Sequence, residues 1–252
     1  MLTITSSTKS AHFSKITLLH HQKLSAITIN NERAYPKRTM HHKAIALCHL
    51  LRPFKVKPND IVQVLSKDNF HVCIPAKLLL QCDKRHAIAM LAIEPESKWP
   101  IINNHTNTTA GPFEIVWLNT DKSVISNEYW AWSVLKLNII RHNDLKPILT
   151  LKTDNRAVKR GYNVYISHCE GCHSINHKGQ STMGPDLNCP KSPLAYYPDI
   201  KTLKKFIRDP KSVRVLPYGR MSGSDTVTLP EKSLDDLIAF FKYIEKDKHE
   251  CL

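Results

Sequence analysis

Between residues 61 and 74 apolar and polar positions alternate. Ile61-Val-Gln-Val-Leu65, a Lys67-Asp-Asn69 turn and Phe70-His-Val-Cys-Ile74 predict a hairpin that turns Phe70, Val72 and Ile74 to one side. Phe113-Glu-Ile-Val-Trp117 repeats the period of two, and a further strand is predicted from Trp132 to Ile140. Short helices are predicted over Lys43–Leu51 and Ala76–Leu80. After Pro147 the spacing becomes helical. Thr153-Asp-Asn155 offers N-caps for a helix reaching His168, and Asp199 offers one for Ile200–Arg208. Ser233 with Asp236 resembles a capping box, opening a helix in which Leu234, Leu237, Ile238 and Phe241 share a face. The pattern predicts an α+β domain with a mixed sheet over residues 1–148, a linker over 149–154 and an all-α domain over 155–252.

The length of 252 residues suits two domains, and 42% hydrophobic with 23% charged residues is ordinary for a core-forming chain. No apolar run is long enough to cross a bilayer; the stretch Ala44–Leu51 is interrupted by Cys48 and His49. The net charge of +14 is spread over both halves, with 19 basic and 10 acidic residues in 1–150 and 17 and 12 in 151–252. Such a surface attracts anionic partners. Nucleic acid is not the expected one, because no basic run is interleaved with aromatics and no finger-type Cys/His spacing occurs.

The string Cys169-Glu-Gly-Cys172-His173 narrows the chemistry. Two thiols three positions apart can each form a thioether with one haem vinyl, and the adjacent imidazole can then reach the iron. Chance gives this pattern about 0.01 times in a chain of this composition. A zinc site would want a second ligand pair, whereas Cys189 and Cys251 stand alone. A thioredoxin-like pair would want a preceding strand, whereas residues 155–168 read as helix.

On these residues, segment 155–248 resembles the class I cytochromes c. Gly161 and Tyr165 stand where that family places a glycine and an aromatic on its first helix, and Leu237-Ile-Ala-Phe240 matches its last helix. Gly184-Pro185-Asp186-Leu187 matches the loop whose proline carbonyl accepts the proton of the haem-ligating histidine. The resemblance implies one haem c held by Cys169 and Cys172. His173 and Met221 would be the axial ligands, Met221 lying 48 residues downstream in Pro217-Tyr-Gly-Arg-Met-Ser-Gly223. Met183 adjoins the proximal loop and is not the expected ligand, and Arg220 is expected to meet a propionate or solvent. His/Met ligation suits electron transfer rather than oxygen chemistry.

Residues 35–142 are similar to the sulfite-oxidase-type molybdopterin-binding domains, on the strength of Ala44-Ile-Ala-Leu-Cys-His-Leu-Leu51, Asp68–Pro75, Ala110–Trp117 and Ile125–Trp132. That family ligates molybdenum through a cysteine upstream of its first helix, and no cysteine precedes Cys48. The expectation is a truncated relative without molybdopterin that docks a partner.

The resulting reading is an electron carrier for an acidic redox partner. The alternatives are a molybdohaem sulfite-dehydrogenase-like enzyme or its cytochrome subunit, and a haem peroxidase in which Met221 leaves the iron. Thioether attachment implies the bacterial periplasm, although Met1–Ala26 shows no basic start, apolar centre or cleavage site. Of the other cysteines, Cys48, Cys73, Cys82, Cys189 and Cys251, a Cys73–Cys82 bridge is conceivable, with buried thiols the plainer expectation. His20-His21 and His41-His42 diverge on any regular element and make poor metal pairs. Asn104 and Asn107 begin glycosylation patterns that a periplasmic protein would not use. Lys201, Lys204 and Lys205 form a basic helix face that is solvated or meets the partner.

Overall fold

The computed structural model describes residues 1–103, 106–179, 181, 183–215 and 221–246, so Asn104, Arg220 and Cys251 lie outside the described residues. The chain divides into two compact units, Met1–Leu145 and Lys146–Leu252.

Among the described residues the first unit contains nine strands: β1 (Leu2–Thr5), β2 (Ser10–Phe13), β3 (Ser25–Asn30), β4 (Thr39–Ala46), β5 (Ile61–Ser66), β6 (His71–Pro75), β7 (Ile88–Ile93), β8 (Phe113–Leu118) and β9 (Val134–Ile140). Three short helices accompany them: α1 (Lys15–Leu19), α2 (Leu47–Leu51) and α3 (Ala76–Leu79). The strands form two sheets, ordered β2-β1-β9-β5-β6 and β3-β4-β7-β8. All pairings are antiparallel except β1 with β9, which runs parallel from Thr3 opposite Lys136.

The predicted hairpin is β5–β6, its turn passing through Asn69 at a φ of 66°. Val62, Val64, Val72 and Ile74 from this hairpin share one core with Ile45, Leu91, Phe113, Ile115 and Trp117 of the second sheet. The opposite face of that sheet is covered too, by a cluster of Ile29, Met40, Ala44, Met90, Ala92 and Val116 with Tyr35 and Trp99. This is why β7, Ile-Ala-Met-Leu-Ala-Ile, shows no alternation: all six residues are buried.

The second unit carries α4 (Arg156–His168), α5 (Pro193–Tyr196), α6 (Ile200–Arg208) and α7 (Glu231–Glu245). Asn155 caps α4, its Oδ1 accepting from the Ala157 and Val158 amides at 2.9 and 3.4 Å. Asp199 caps α6 in the same way, through the Lys201 and Thr202 amides. Helix α4 crosses α7 at Gly161, where a Cβ would collide with the Asp236 carbonyl oxygen and stand 2.7 Å from the Phe240 Cβ. Only glycine lets the two backbones approach this closely. Residues 149–154 are tied to this unit: the Leu149 amide donates to the Tyr162 hydroxyl at 3.2 Å and the Lys152 amide to the Tyr243 hydroxyl at 3.0 Å.

Several expectations are corrected. The expected fold class, a truncated sulfite-oxidase-like domain on one mixed sheet plus a separate all-α cytochrome c domain, is not what the chain adopts. It is an α+β protein with nine strands in two sheets and seven short helices among the described residues. In residues 146–252 the helices take up less than half of the described chain, and much of the remainder is loop held by side-chain hydrogen bonds, with an isolated bridge at Ile175–Lys178. The helix expected over Lys43–Leu51 is the end of β4 followed by α2. There Met40, His42 and Ala44 point inward while His41 and Lys43 face water, a period of two that the apolar run after Ala44 obscured. Helix α7 starts at Glu231 behind Pro230, not at Ser233, and Asp236 is occupied by the Arg160 fork at 2.6 and 2.7 Å. Lys204 turns to Glu231 and Asp235 on α7, leaving Lys201 and Lys205 exposed on α6.

Candidate functional site

Helix α4 runs directly into the Cys169–His173 segment. The Cys169 amide still bonds the Tyr165 carbonyl at 2.9 Å. The chain then folds back on itself, the Cys172 and His173 amides both donating to the Cys169 carbonyl at 3.1 and 2.8 Å. Both cysteines are half-buried, and so is His173. Tyr165, fully buried, donates its hydroxyl to the His173 carbonyl at 2.9 Å. Tyr165 also stacks on Tyr162 and leans on Phe240 of α7. The segment is therefore anchored to the crossing at Gly161.

Residues 184–187 form its other wall. His173 Nδ1 lies 2.7 Å from the Pro185 carbonyl, which can only accept, so Nδ1 carries the proton and Nε2 keeps its lone pair. Burial lowers the His173 pKa, with the Pro185 carbonyl and Asp186 acting against it, and this favours the neutral imidazole. A Cβ at Gly184 would stand 2.5–3.0 Å from three atoms of the ring, so the glycine lets the loop backbone lie flat against the imidazole. The Gly184 amide closes the wall by donating to the Cys172 carbonyl at 2.7 Å.

Asp186 holds this wall in place. Its carboxylate accepts from the Ser174 hydroxyl at 2.9 Å and from the amides of Asn176, His177, Asn188 and Cys189 at 3.1, 2.8, 2.8 and 2.8 Å. Burial pushes its pKa up, but the donors win and hold it below the usual aspartate range. Asn188 extends the clamp to α7 through the Ile244 carbonyl at 2.9 Å. Asp186→Ala is expected to cost the second unit about 3 kcal/mol at neutral pH, because it strands several donors at once. A depressed carboxylate stabilises above its unfolded pKa and loses that contribution as pH falls through the folded one. The gap between variant and parent should thus narrow below about pH 4 in denaturant titrations followed by helical circular dichroism.

Met221 is half-buried at the head of the loop leading to α7. Arg208 pins this loop by donating to the carbonyls of Ser224 at 3.1 Å and Asp225 at 2.9 Å and to that of Leu229. Asp225 in turn acts electrostatically on His168, whose pKa burial pushes down to about 4. Met183 is half-buried beside Gly184. Neither Asp186 nor His168 stood out in the sequence, since an Asp within a Gly/Pro loop and a His at a helix end are common.

Two further polar groupings lie in the first unit. Glu32, His42 and Glu114 are buried together beside Tyr35 and Trp99, with His42 Nε2 2.5 Å from Glu32 Oε2. Cys48 and Cys82 form a disulfide, which corrects the conceivable Cys73–Cys82 bridge. Cys48 at the start of α2 faces the loop after α3, whereas Cys73 sits half-buried within β6. Cys189 is also disulfide-bonded.

No family model and no curated protein matches the chain. Among the described residues, no helix is long and apolar enough to cross a membrane.

Proposed function

We propose that the chain is a one-electron carrier with a single covalently attached haem c. The observation that carries this reading is the His173 imidazole. It follows a Cys-X-X-Cys pair directly, its Nδ1 proton is committed to Pro185 at 2.7 Å, and its Nε2 lone pair is left for a metal. The donor set fits the group: two half-buried sulfurs, one neutral imidazole fixed in tautomer and orientation, and a half-buried thioether, Met221, at the head of the loop leading to α7. Cys169 and Cys172 would hold haem through thioethers, and His173 and Met221 would ligate its iron. Bound haem supplies the redox chemistry. The protein's own contribution is rigidity. Pro185, Gly184, Tyr165 and the Asp186 clamp keep His173 from turning, which keeps reorganisation on electron transfer small.

Thioether formation would place maturation in the bacterial periplasm. The +14 charge, with Lys201 and Lys205 exposed, suits an acidic redox partner, steering encounter more than adding affinity. The first unit would serve as the docking body. The test is Met221→Ala in protein matured where haem c is attached. The variant should keep its covalent haem, lower its reduction potential by on the order of 0.1 V and bind carbon monoxide when reduced. An unchanged potential and spectrum would remove Met221 from the ligand set.

A further inference from the structure

We propose that Cys48, His49 and Cys82 form a redox-gated site for a soft divalent cation of the zinc class, independent of the haem reading. Cys48 and His49 are consecutive on α2, and Cys82 lies in the loop that follows α3. The Cα atoms of the two cysteines are 6.0 Å apart, and the His49 ring lies against the Cys82 sulfur, with Nε2 at 3.8 Å and Nδ1 at 4.0 Å. The three ligand atoms all fall within 4.8 Å of one another.

These distances match a known coordination geometry. A tetrahedral zinc bound at its usual lengths sets sulfur and nitrogen ligands about 3.6 Å apart and two sulfurs about 3.8 Å apart. His49 already stands at that separation from Cys82. Only the two sulfurs must part, by about 1.7 Å from a bonded pair. While the disulfide is intact neither sulfur is a thiolate, so the site is closed to the metal.

Opening it takes two electrons from a dithiol reductant. Cys82 is exposed and Cys48 is 7% exposed, so attack falls on Cys82. A reductant sulfur bonds to Cys82 Sγ, the bond to Cys48 breaks, and Cys48 leaves as a thiolate. The second reductant thiol displaces Cys82 and departs as a disulfide, leaving two thiols on the protein. Zinc then takes both as thiolates, their two protons going to solvent, together with the His49 lone pair. Three protein ligands leave a fourth position open toward solvent at Cys82 for water or a partner's donor.

The experiment compares the full chain, Cys82→Ser and His49→Ala, each treated with a dithiol that is then removed without air, by equilibrium dialysis against zinc. Zinc taken up by Cys73, by Cys169, Cys172 and His173, or by Cys189, whose disulfide the dithiol also opens, is common to the three reduced proteins and cancels in the difference. The reduced full chain should bind one more zinc than the reduced Cys82→Ser. His49→Ala should weaken that extra site at least about tenfold. Cobalt in place of zinc should give tetrahedral visible bands that Cys82→Ser lacks. Zinc should also protect Cys48 and Cys82 of the parent from alkylation, a readout that needs no variant to fold. Equal zinc on the reduced parent and Cys82→Ser, parental affinity in His49→Ala, or alkylation unaffected by zinc would each overturn the site.

Discussion

With Cys169→Ala and Cys172→Ala together, protein matured where haem c is attached should carry no haem that survives denaturation and acidic solvent extraction, while the parent carries one per chain. The effect is all or none because the thioethers are the only covalent link: without them haem is held by ligation and packing alone, both lost on unfolding. Each single substitution should retain one thioether. The vinyl left unsaturated then extends the ring's conjugation and moves the visible bands to longer wavelength. Tyr165 lies inside the same hydrogen-bonded segment but supplies no bond to haem, so Tyr165→Phe should keep full attachment. Haem resisting extraction from the double variant, or a parent without haem, would remove the carrier reading altogether. The measurement is iron per chain alongside a haem stain after denaturing electrophoresis.

How much the sequence disclosed differs between the two units. In the second, local signals place helices α4 and α6 but not the course of the long loops between the helices, which the all-α expectation left undescribed. Asn155 and Asp199 cap their helices through side chains whose role is written in the next three residues, and the Cys-X-X-Cys-His string needs only adjacency to be seen. Cys169, Cys172, His173, Pro185 and Tyr165 stand out in the sequence, and the structure links them by hydrogen bonds beside the helix crossing at Gly161; the haem-binding role read for them there stays a proposal. Asp186 was not legible as a clamp, because its five donors come from residues 174–189 only once the loop has folded. The first unit hides more. Strand β1 finds its place through parallel pairing with β9, more than 130 residues away, and nothing local announces that. Strand β7 loses its alternation because both faces of its sheet are covered there, so the period-2 signal that revealed β5, β6 and β8 is absent from it. The Cys48–Cys82 bridge likewise depends on which elements meet, since cysteine spacing alone does not fix pairing.

Glu114 is the sharpest case of that hidden burial, and replacing it should stabilise the protein. In Phe113-Glu-Ile-Val-Trp117 the alternation assigns the glutamate to a solvent face, yet it is fully buried and neither carboxylate oxygen meets a hydrogen-bond donor. Glu32 approaches it, itself held by His42, and Tyr35 lies within electrostatic reach of both glutamates. Burial, and then the Glu32 charge, raise the Glu114 pKa well above the ordinary glutamate value, so the folded protein holds this proton to higher pH than the unfolded chain does. The unfolded chain releases it above about pH 4.5. Protons bound by the folded state and not by the unfolded one make stability fall as pH rises, by about 1.4 kcal/mol per pH unit, until the folded pKa is reached. Glu114→Gln preserves the shape, removes the ionisation and offers Glu32 an amide donor. Its advantage over the parent should be near zero at pH 4.5 and widen as pH rises above that, by at most about 1.4 kcal/mol for each pH unit. Urea titrations followed by tryptophan fluorescence read the first unit specifically, since Trp99, Trp117, Trp130 and Trp132 all belong to it. Parallel pH profiles for the two proteins would mean that Glu114 ionises freely in the fold, which a carboxyl with no donor and a neighbouring carboxylate should not do.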